Sequence, residues 1–416
     1  MRQDANAMQH PFLYTFLLLF SAGLFIGVHW FGWLETGIGP GQEITLISEE
    51  PVITEASIVR DAPDTGERAP DRNPSIEIDA IASGLDTPWD IVFTSPERIL
   101  VTERPGRIRV IERGELREKP LHVFSEVVER GEDGLMSLAL DPAYPENHFL
   151  YAAVAYDDGG SLSVKVMRFV DAGDRLESLF TVIDRIPAAQ YHSGCRLAFG
   201  PDSKLYISTG DATDKNLAQD LASLAGKILR LNPDGTIPTD NPFPGSTVWS
   251  YGHRNPQGLA WHPDNGLLYE TEHGPSIIDG PAGGDEVNAI ERGGNYGWPI
   301  VSHDKNREGM IAPLITYTPA EAPGSLMIYS GRVFPEWRGN LFFGALKGEG
   351  LMRIRLDANN PKKIAGYGKL REVSLGRIRA VVEGPDGNIY FTTSNRDGRG
   401  TPAPLDDRIF RIRAQD

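Results

Sequence analysis

The chain contains a single cysteine, Cys195. That excludes an intrachain disulfide and leaves no basis for a cysteine-based zinc centre. No histidine pair stands at zinc-ligand spacing. Positive charge is short too: 41 Lys and Arg face 57 Asp and Glu, a formal net charge of −16. Such a balance argues against nucleic acid as a partner. Long amphipathic helical patterns are missing from the body of the chain, apart from a turn or two around 217–224. Low-complexity segments are missing as well. What abounds is glycine (45) and proline (31), in a chain of 416 residues that is 40% hydrophobic and 24% charged. Turn formers at that density, within a globular composition, point to many short strands around a sizeable core.

Charge is absent from one long run. Residues 12–34 are uncharged, and as a helix rising ~1.5 Å per residue they span roughly 35 Å, enough to cross a bilayer. His29, Trp30 and Trp33 near the far end suit a membrane interface. No small-residue cleavage site follows, so an uncleaved signal anchor is expected after a short tail (1–11). Arg2 precedes the run and no Lys or Arg returns until Arg60. This asymmetry predicts the N-terminus inside and the large domain outside the cytoplasm. Residues 35–74 read as a polar, turn-rich linker and 75–416 as the folded domain.

Within that domain six segments share one grammar: an apolar strand, a turn containing proline, a second apolar strand and a polar loop. The prolines are Pro96, Pro142, Pro201, Pro263, Pro335 and Pro385, at intervals of 46, 59, 62, 72 and 50 residues. Proline ahead of an acidic residue presets φ for a tight turn between paired strands. Several copies continue into a third strand, as in Gly106-Arg107-Ile108-Arg109-Val110-Ile111. Repeats of this size and content are blades, and the expected architecture is an all-β, six-bladed β-propeller. A lone blade cannot bury both faces, so the ring must close. Ser75-Ile76-Glu77-Ile78 and Arg408-Ile409-Phe410-Arg411-Ile412 are the expected partners in a final blade shared by both termini. The longest interval predicts an insertion over 279–309 on one face.

Function in such rings sits on one loop face, at the mouth of the central channel. His192 stands just ahead of the third copy, and a histidine there suits proton abstraction near neutral pH. Arg254 and Asn255 precede the fourth copy in the corresponding place. Lys347 follows a strand, and Arg377 and Arg379 lead into the last copy on one side of the chain. Cations from three blades of an acidic protein suggest an anionic small molecule; loop salt bridges are the alternative. The stretches Glu270-Thr271-Glu272-His273-Gly274-Pro275, Gly283-Gly284-Asp285-Glu286-Val287-Asn288 and Gly293-Gly294-Asn295-Tyr296-Gly297-Trp298-Pro299 are rich in carboxylates and accessible carbonyls. They suit Ca²⁺, or are surface loops.

Together, His192 with Arg196-Leu197, Gly252-His253-Arg254-Asn255-Pro256-Gln257-Gly258-Leu259, Glu272-His273-Gly274-Pro275, Gly284-Asp285-Glu286-Val287-Asn288 and Gly294-Asn295-Tyr296-Gly297-Trp298-Pro299 resemble one family. It is that of the aldose sugar dehydrogenases dependent on pyrroloquinoline quinone (PQQ), relatives of soluble glucose dehydrogenase. The resemblance runs from about Ile81 to the C-terminus. It implies oxidation of aldoses at C1 to lactones, with His192 as general base and Arg254 steadying charge on the quinone. It implies that Asn255, Lys347, Arg377 and Arg379 hold the cofactor, with Asp211 and Glu132 beside it. It places Ca²⁺ on the carbonyls of Gly274 and Pro275, and further calcium on Glu286 and Tyr296. It implies a quinone or cytochrome as electron acceptor and, with the anchor, a periplasmic domain on a bacterial inner membrane. Glu132 stands where this family usually has glutamine, and Cys195 where it usually has glycine. The competing reading is a non-catalytic propeller that binds sugar or protein after losing the cofactor.

Overall fold

The computed structural model describes residues 73–415, and almost all of their regular structure is strand. The expected membrane anchor and most of the linker lie outside the described residues. Among the described residues no helix is long and apolar enough to cross a membrane.

Six antiparallel sheets follow one another around a ring, five of four strands and one of five. The innermost strands are Pro88–Ser95, Leu135–Leu140, Leu197–Phe199, Pro256–Trp261, Pro323–Ile328 and Ile378–Glu383. We number the blades in that order. Each sheet is apolar on both faces because each is sandwiched between neighbours. Between the second and third blades, Met136, Tyr151 and Val166 pack with Leu197, Ile207 and Leu229. Between the fifth and sixth, Phe342 and Leu351 pack with Val381, Ile389 and Phe391. Each such large side chain contributes roughly 1.5–3 kcal/mol by leaving water.

Closure is as the sequence predicts. Ile76–Ala82 is the outermost strand of the sixth blade and pairs antiparallel with Ile409–Ala414, Ile78 opposite Ile412. The two ends of the domain are therefore hydrogen-bonded into one sheet, and the ring has no unpaired seam.

Two expectations are corrected. In the fifth blade the strand is not at 331–334: the inner strand is Pro323–Ile328, and Pro335 opens the short 3-10 turn Pro335–Trp337 ahead of Leu341–Ala345. Segment 321–326 is thus largely inner strand. Its loop-like Pro-Gly-Ser sequence has a physical reason: a Cβ on Gly324 would lie 2.4 Å from the Arg379 carbonyl, so the two inner strands approach too closely for a side chain. Second, 279–309 is not one insertion. Asp285–Ile290 is the third strand of the fourth blade, pairing with both Leu268–Glu272 and Ile315–Tyr317.

Candidate active site

In an antiparallel blade the start of the inner strand and the end of the second strand lie at the same end of the sheet. The ring therefore gathers distant segments at one channel mouth. His192 precedes the third inner strand, and Asp211 follows its partner Leu205–Thr209. Arg254 and Asn255 precede the fourth inner strand, and Gly274 and Pro275 follow Leu268–Glu272. Arg377 precedes the sixth inner strand and Arg379 lies within it.

His192 sits at φ 61° in a turn with little room to move. Its carbonyl accepts from Ala212 N, and a Cβ on Gly210 would lie 1.9 Å from that carbonyl oxygen. Behind it, Gly194 N donates to Asn255 Oδ1 at 3.1 Å. The ring is fixed by Asp211, whose Oδ1 lies 2.9 Å from His192 Nδ1. Asp211 is itself held by Thr213 N at 2.8 Å on Oδ1 and by the Trp298 indole N–H at 2.8 Å on Oδ2. A carboxylate facing Nδ1 accepts, so in the neutral imidazole Nδ1 is the donor and Nε2 the acceptor. That is the arrangement of a general base with its orienting group. Asp211, expected beside the cofactor, also holds the histidine ring through Nδ1.

The cations divide into two kinds. Arg254 donates through Nε to Asp279 at 2.8 Å and through Nη1 to the His273 carbonyl at 3.1 Å, and its guanidinium lies 5.5 Å from the Trp298 ring centroid. Arg377 is paired with Asp397 at 2.9 and 2.7 Å. The loop salt bridges raised as the alternative are thus present. Arg379 differs: it donates from Nη1 to Gln257 at 2.9 Å, while its buried Nε has no partner among the described residues. Burial holds its guanidinium down at about 9 despite nearby Asp397. Lys347 is exposed on the loop after Leu341–Ala345.

Oxygen-rich loops adjoin this mouth. A small cavity is lined by Arg254, Glu272, Gly274, Pro275, Glu286 and Trp298, among others. Asp285 sets the Gly274 turn by accepting from Gly274 N at 2.8 Å and Ala322 N at 2.6 Å. Deeper in the fourth blade, His253, Glu270 and Glu272 bring potential ligand atoms within 4.8 Å of one another. Asn288 bridges Glu270, Glu272 and Glu286. Burial first, and then Glu272, push the Glu270 and Glu286 carboxyls well above the usual range. The buried Glu270 Oε1 and Asn288 Oδ1 lack partners among the described residues. Protons or a hard cation must neutralise such a group. Tyr296 is placed differently: its hydroxyl donates to the Ala289 carbonyl and accepts from Glu291 N, both at 2.7 Å, and its ring stacks on His253. Any metal role there falls to its main chain.

Three participants were not foreseen. Trp298 was read only as part of a loop motif, yet it anchors Asp211. Arg399, on the loop after the sixth blade's Ile389–Thr393, pairs with Glu132 at 2.9 Å. Asp133 is fully buried, neither oxygen is in good hydrogen-bond geometry with a donor among the described residues, and burial, only partly offset by the nearby Ser193 hydroxyl, drives its carboxyl up to about 7. Cys195 is inert: its side chain lies in the apolar core and burial pushes the thiol up to about 12.

A carboxylate-anchored histidine, buried arginines and oxygen-rich loops thus stand together at one mouth of a propeller channel. Comparison with known proteins goes further. The chain belongs to the glucose/sorbosone dehydrogenase family, whose model matches residues 85–404. That bears out the resemblance to quinoprotein sugar dehydrogenases read from the sequence. It is 31% identical to the aldose sugar dehydrogenase YliI of Escherichia coli over 348 residues, covering 78% of this chain and 91% of that protein. Among solved structures, a Thermus thermophilus oxidoreductase described as a glucose dehydrogenase shares 42% identity at a TM-score of 0.75, covering 81% of this chain and all of that one. The PQQ-bound aldose sugar dehydrogenase of Streptomyces coelicolor shares 34% identity at a TM-score of 0.72, covering 83% and 99% of the two chains.

Proposed function

We propose that this chain oxidises aldose sugars at C1 to lactones, using PQQ held with Ca²⁺ at the channel mouth and His192 as general base. The observation that carries this reading is the His192–Asp211–Trp298 chain of hydrogen bonds, which leaves Nε2 as an acceptor, with the Arg254 guanidinium 5.5 Å from the centroid of the same Trp298 ring. The residues fit such a group. Arg379 keeps an unsatisfied buried donor, which suits an anionic ligand, and the Gly274–Pro275 turn shares a cavity with Glu272 and Glu286, which suits a hard cation. When bound, PQQ supplies the acceptor for the hydride from the sugar, with Ca²⁺ as Lewis acid.

The chain's own residues do the rest. His192 Nε2 takes the proton from the anomeric hydroxyl, and Asp211 stabilises the imidazolium that forms. Arg254, fixed by Asp279 and the His273 carbonyl, presents positive charge without having to reorganise. Asn255, Lys347, Arg377 and Arg379 would hold the cofactor, and Glu132 and Asp211 would border it. Calcium would also take Glu286 and the main chain of Tyr296. Electrons would pass to a quinone or cytochrome. Residues 12–34 would anchor the domain as a single pass through the bacterial inner membrane, with the propeller in the periplasm.

A second reading has one observation in its favour: Arg254 and Arg377 already carry carboxylate partners. A non-catalytic propeller binding sugar or protein would keep those pairs. Titrating the purified domain with PQQ and Ca²⁺, then assaying dye reduction with several aldoses, separates the two. Stoichiometric binding and aldose-dependent reduction are expected. Absence of cofactor binding would reject the first reading in favour of the second.

A further inference from the structure

Glu132 places a carboxylate inside a site read as binding an anion. It lies on the loop leading into the second blade, with a side chain 14% exposed. Its Oε2 is 3.4 Å from His192 N and 3.5 Å from Asn255 Nδ2. Burial works to raise this carboxyl, yet the cationic forms of His273 and His192 and the permanent charge and hydrogen bond of Arg399 lower it, to about 2; with both imidazoles neutral, Arg399 is the group that keeps it ionised. It is therefore ionised, and an ionised group so placed repels an anionic ligand unless a cation offsets it.

The offsetting cation comes from the other end of the chain. Arg399 donates from Nη1 to Glu132 Oε1 at 2.9 Å, and its guanidinium lies 5.6 Å from the ring centroid of Tyr191, the neighbour of His192. Its backbone is set by Asp397, whose Oδ1 accepts Arg399 N at 2.9 Å. The other oxygen of Asp397 accepts both Arg377 bonds. One aspartate thus holds two arginines, Arg377 at the head of the sixth inner strand and Arg399, which reaches Glu132. The pair ties the sixth blade to the second, beside the turn that carries the base.

We propose that Arg399 is a positioning residue of this site: by neutralising Glu132 and packing on Tyr191, it makes the mouth receptive to an anionic cofactor and holds the His192 turn. The proposal rests on the PQQ reading above. It predicts an asymmetry that a merely structural contact would not produce. Removing Arg399 alone leaves a bare carboxylate; removing the charge of Glu132 as well leaves nothing to offset.

The test is PQQ affinity, read by equilibrium dialysis with Ca²⁺ present, in wild type, R399A, R399K, E132Q and E132Q/R399A. Thermal melts of each variant establish that it is folded. R399A is expected to bind PQQ about tenfold more weakly, the scale of one uncompensated charge near an anion at a half-exposed position. R399K should recover part of that loss by supplying charge without the planar fork. E132Q/R399A should return to within about threefold of wild type, since the neutral amide needs no counter-ion. A wild type that binds no PQQ overturns both this proposal and the reading beneath it. A wild type that binds, with R399A binding equally well or E132Q/R399A as weak as R399A, overturns the role of Arg399 alone.

Discussion

Replacing Asp211 with asparagine removes the group that fixes the proton on His192. In the structure Oδ1 accepts from His192 Nδ1 at 2.9 Å and Thr213 N at 2.8 Å, and Oδ2 accepts from the Trp298 indole at 2.8 Å. An amide has one oxygen for these three donors. If the oxygen faces Trp298, the new NH₂ points at Nδ1, which must then accept; the ring proton moves to Nε2 and the base is lost. If the oxygen faces His192, the NH₂ opposes the indole N–H and leaves a buried donor unpaired. The first outcome costs catalysis: wrong-tautomer substitutions of this kind reach about 10⁴-fold, and loss of general-base assistance about 10² to 10⁴-fold. The second costs stability, ~1–3 kcal/mol for an unsatisfied buried group. We expect Asp211→Asn to lower kcat of the reconstituted enzyme by about 10² to 10⁴, with PQQ affinity within about threefold of wild type. The assay is dye reduction at saturating aldose, with cofactor binding measured separately. A variant retaining more than about a third of wild-type kcat would show that Asp211 does not set the tautomer, and the proton-transfer argument would fail.

Asp133→Asn should change the pH dependence of stability. Burial raises the Asp133 carboxyl from 3.8 to about 7 in the folded state, so the stability its protonation provides is complete below pH 3.8 and is lost as pH rises through about 7. The full effect is on the order of 4 kcal/mol, so in denaturant melts the asparagine variant should gain most at pH 8, less than half of that at about pH 5 and nothing below about pH 3.8. An equal shift across this range would exclude the assignment. Gly210→Ala places a methyl 1.9 Å from the His192 carbonyl, and overpacking of this kind costs ~1–3 kcal/mol. Because the displaced atoms belong to the turn bearing the base, turnover should fall even in the folded fraction; unchanged kcat in folded protein would contradict that.

The ring was legible in the sequence because its grammar is local. A proline before an acidic residue marks the turn, apolar runs on either side mark the strands, and both recur. The pairing of Ile76–Ala82 with Ile409–Ala414 was legible too, since an unclosed ring would leave two apolar strands without partners. The fifth blade was misplaced where tertiary packing overrides local preference. Pro323-Gly324-Ser325 looks like a loop, but small residues are what the close approach to Arg379 requires. The acidic strand Asp285–Ile290 was absorbed into a supposed insertion because its charged residues face a polar cluster within the sheet rather than solvent.

The site was legible in part for a related reason. His192 and Arg254 stand at equivalent points of successive repeats, so their convergence follows from the repeat. Their partners do not. Trp298 is 87 residues from Asp211, and Arg399 is 267 residues from Glu132. Contacts of that separation leave no trace in spacing or periodicity and appear only once the ring is closed.

The central claim is that His192 is the base rather than a support for the loop. Reconstituting His192→Ala with PQQ and Ca²⁺ tests it most directly, by measuring cofactor stoichiometry and aldose-dependent dye reduction on the same preparation. The account predicts binding at wild-type stoichiometry with turnover reduced at least about 100-fold. Turnover comparable to wild type would remove His192 from the chemistry and contradict it.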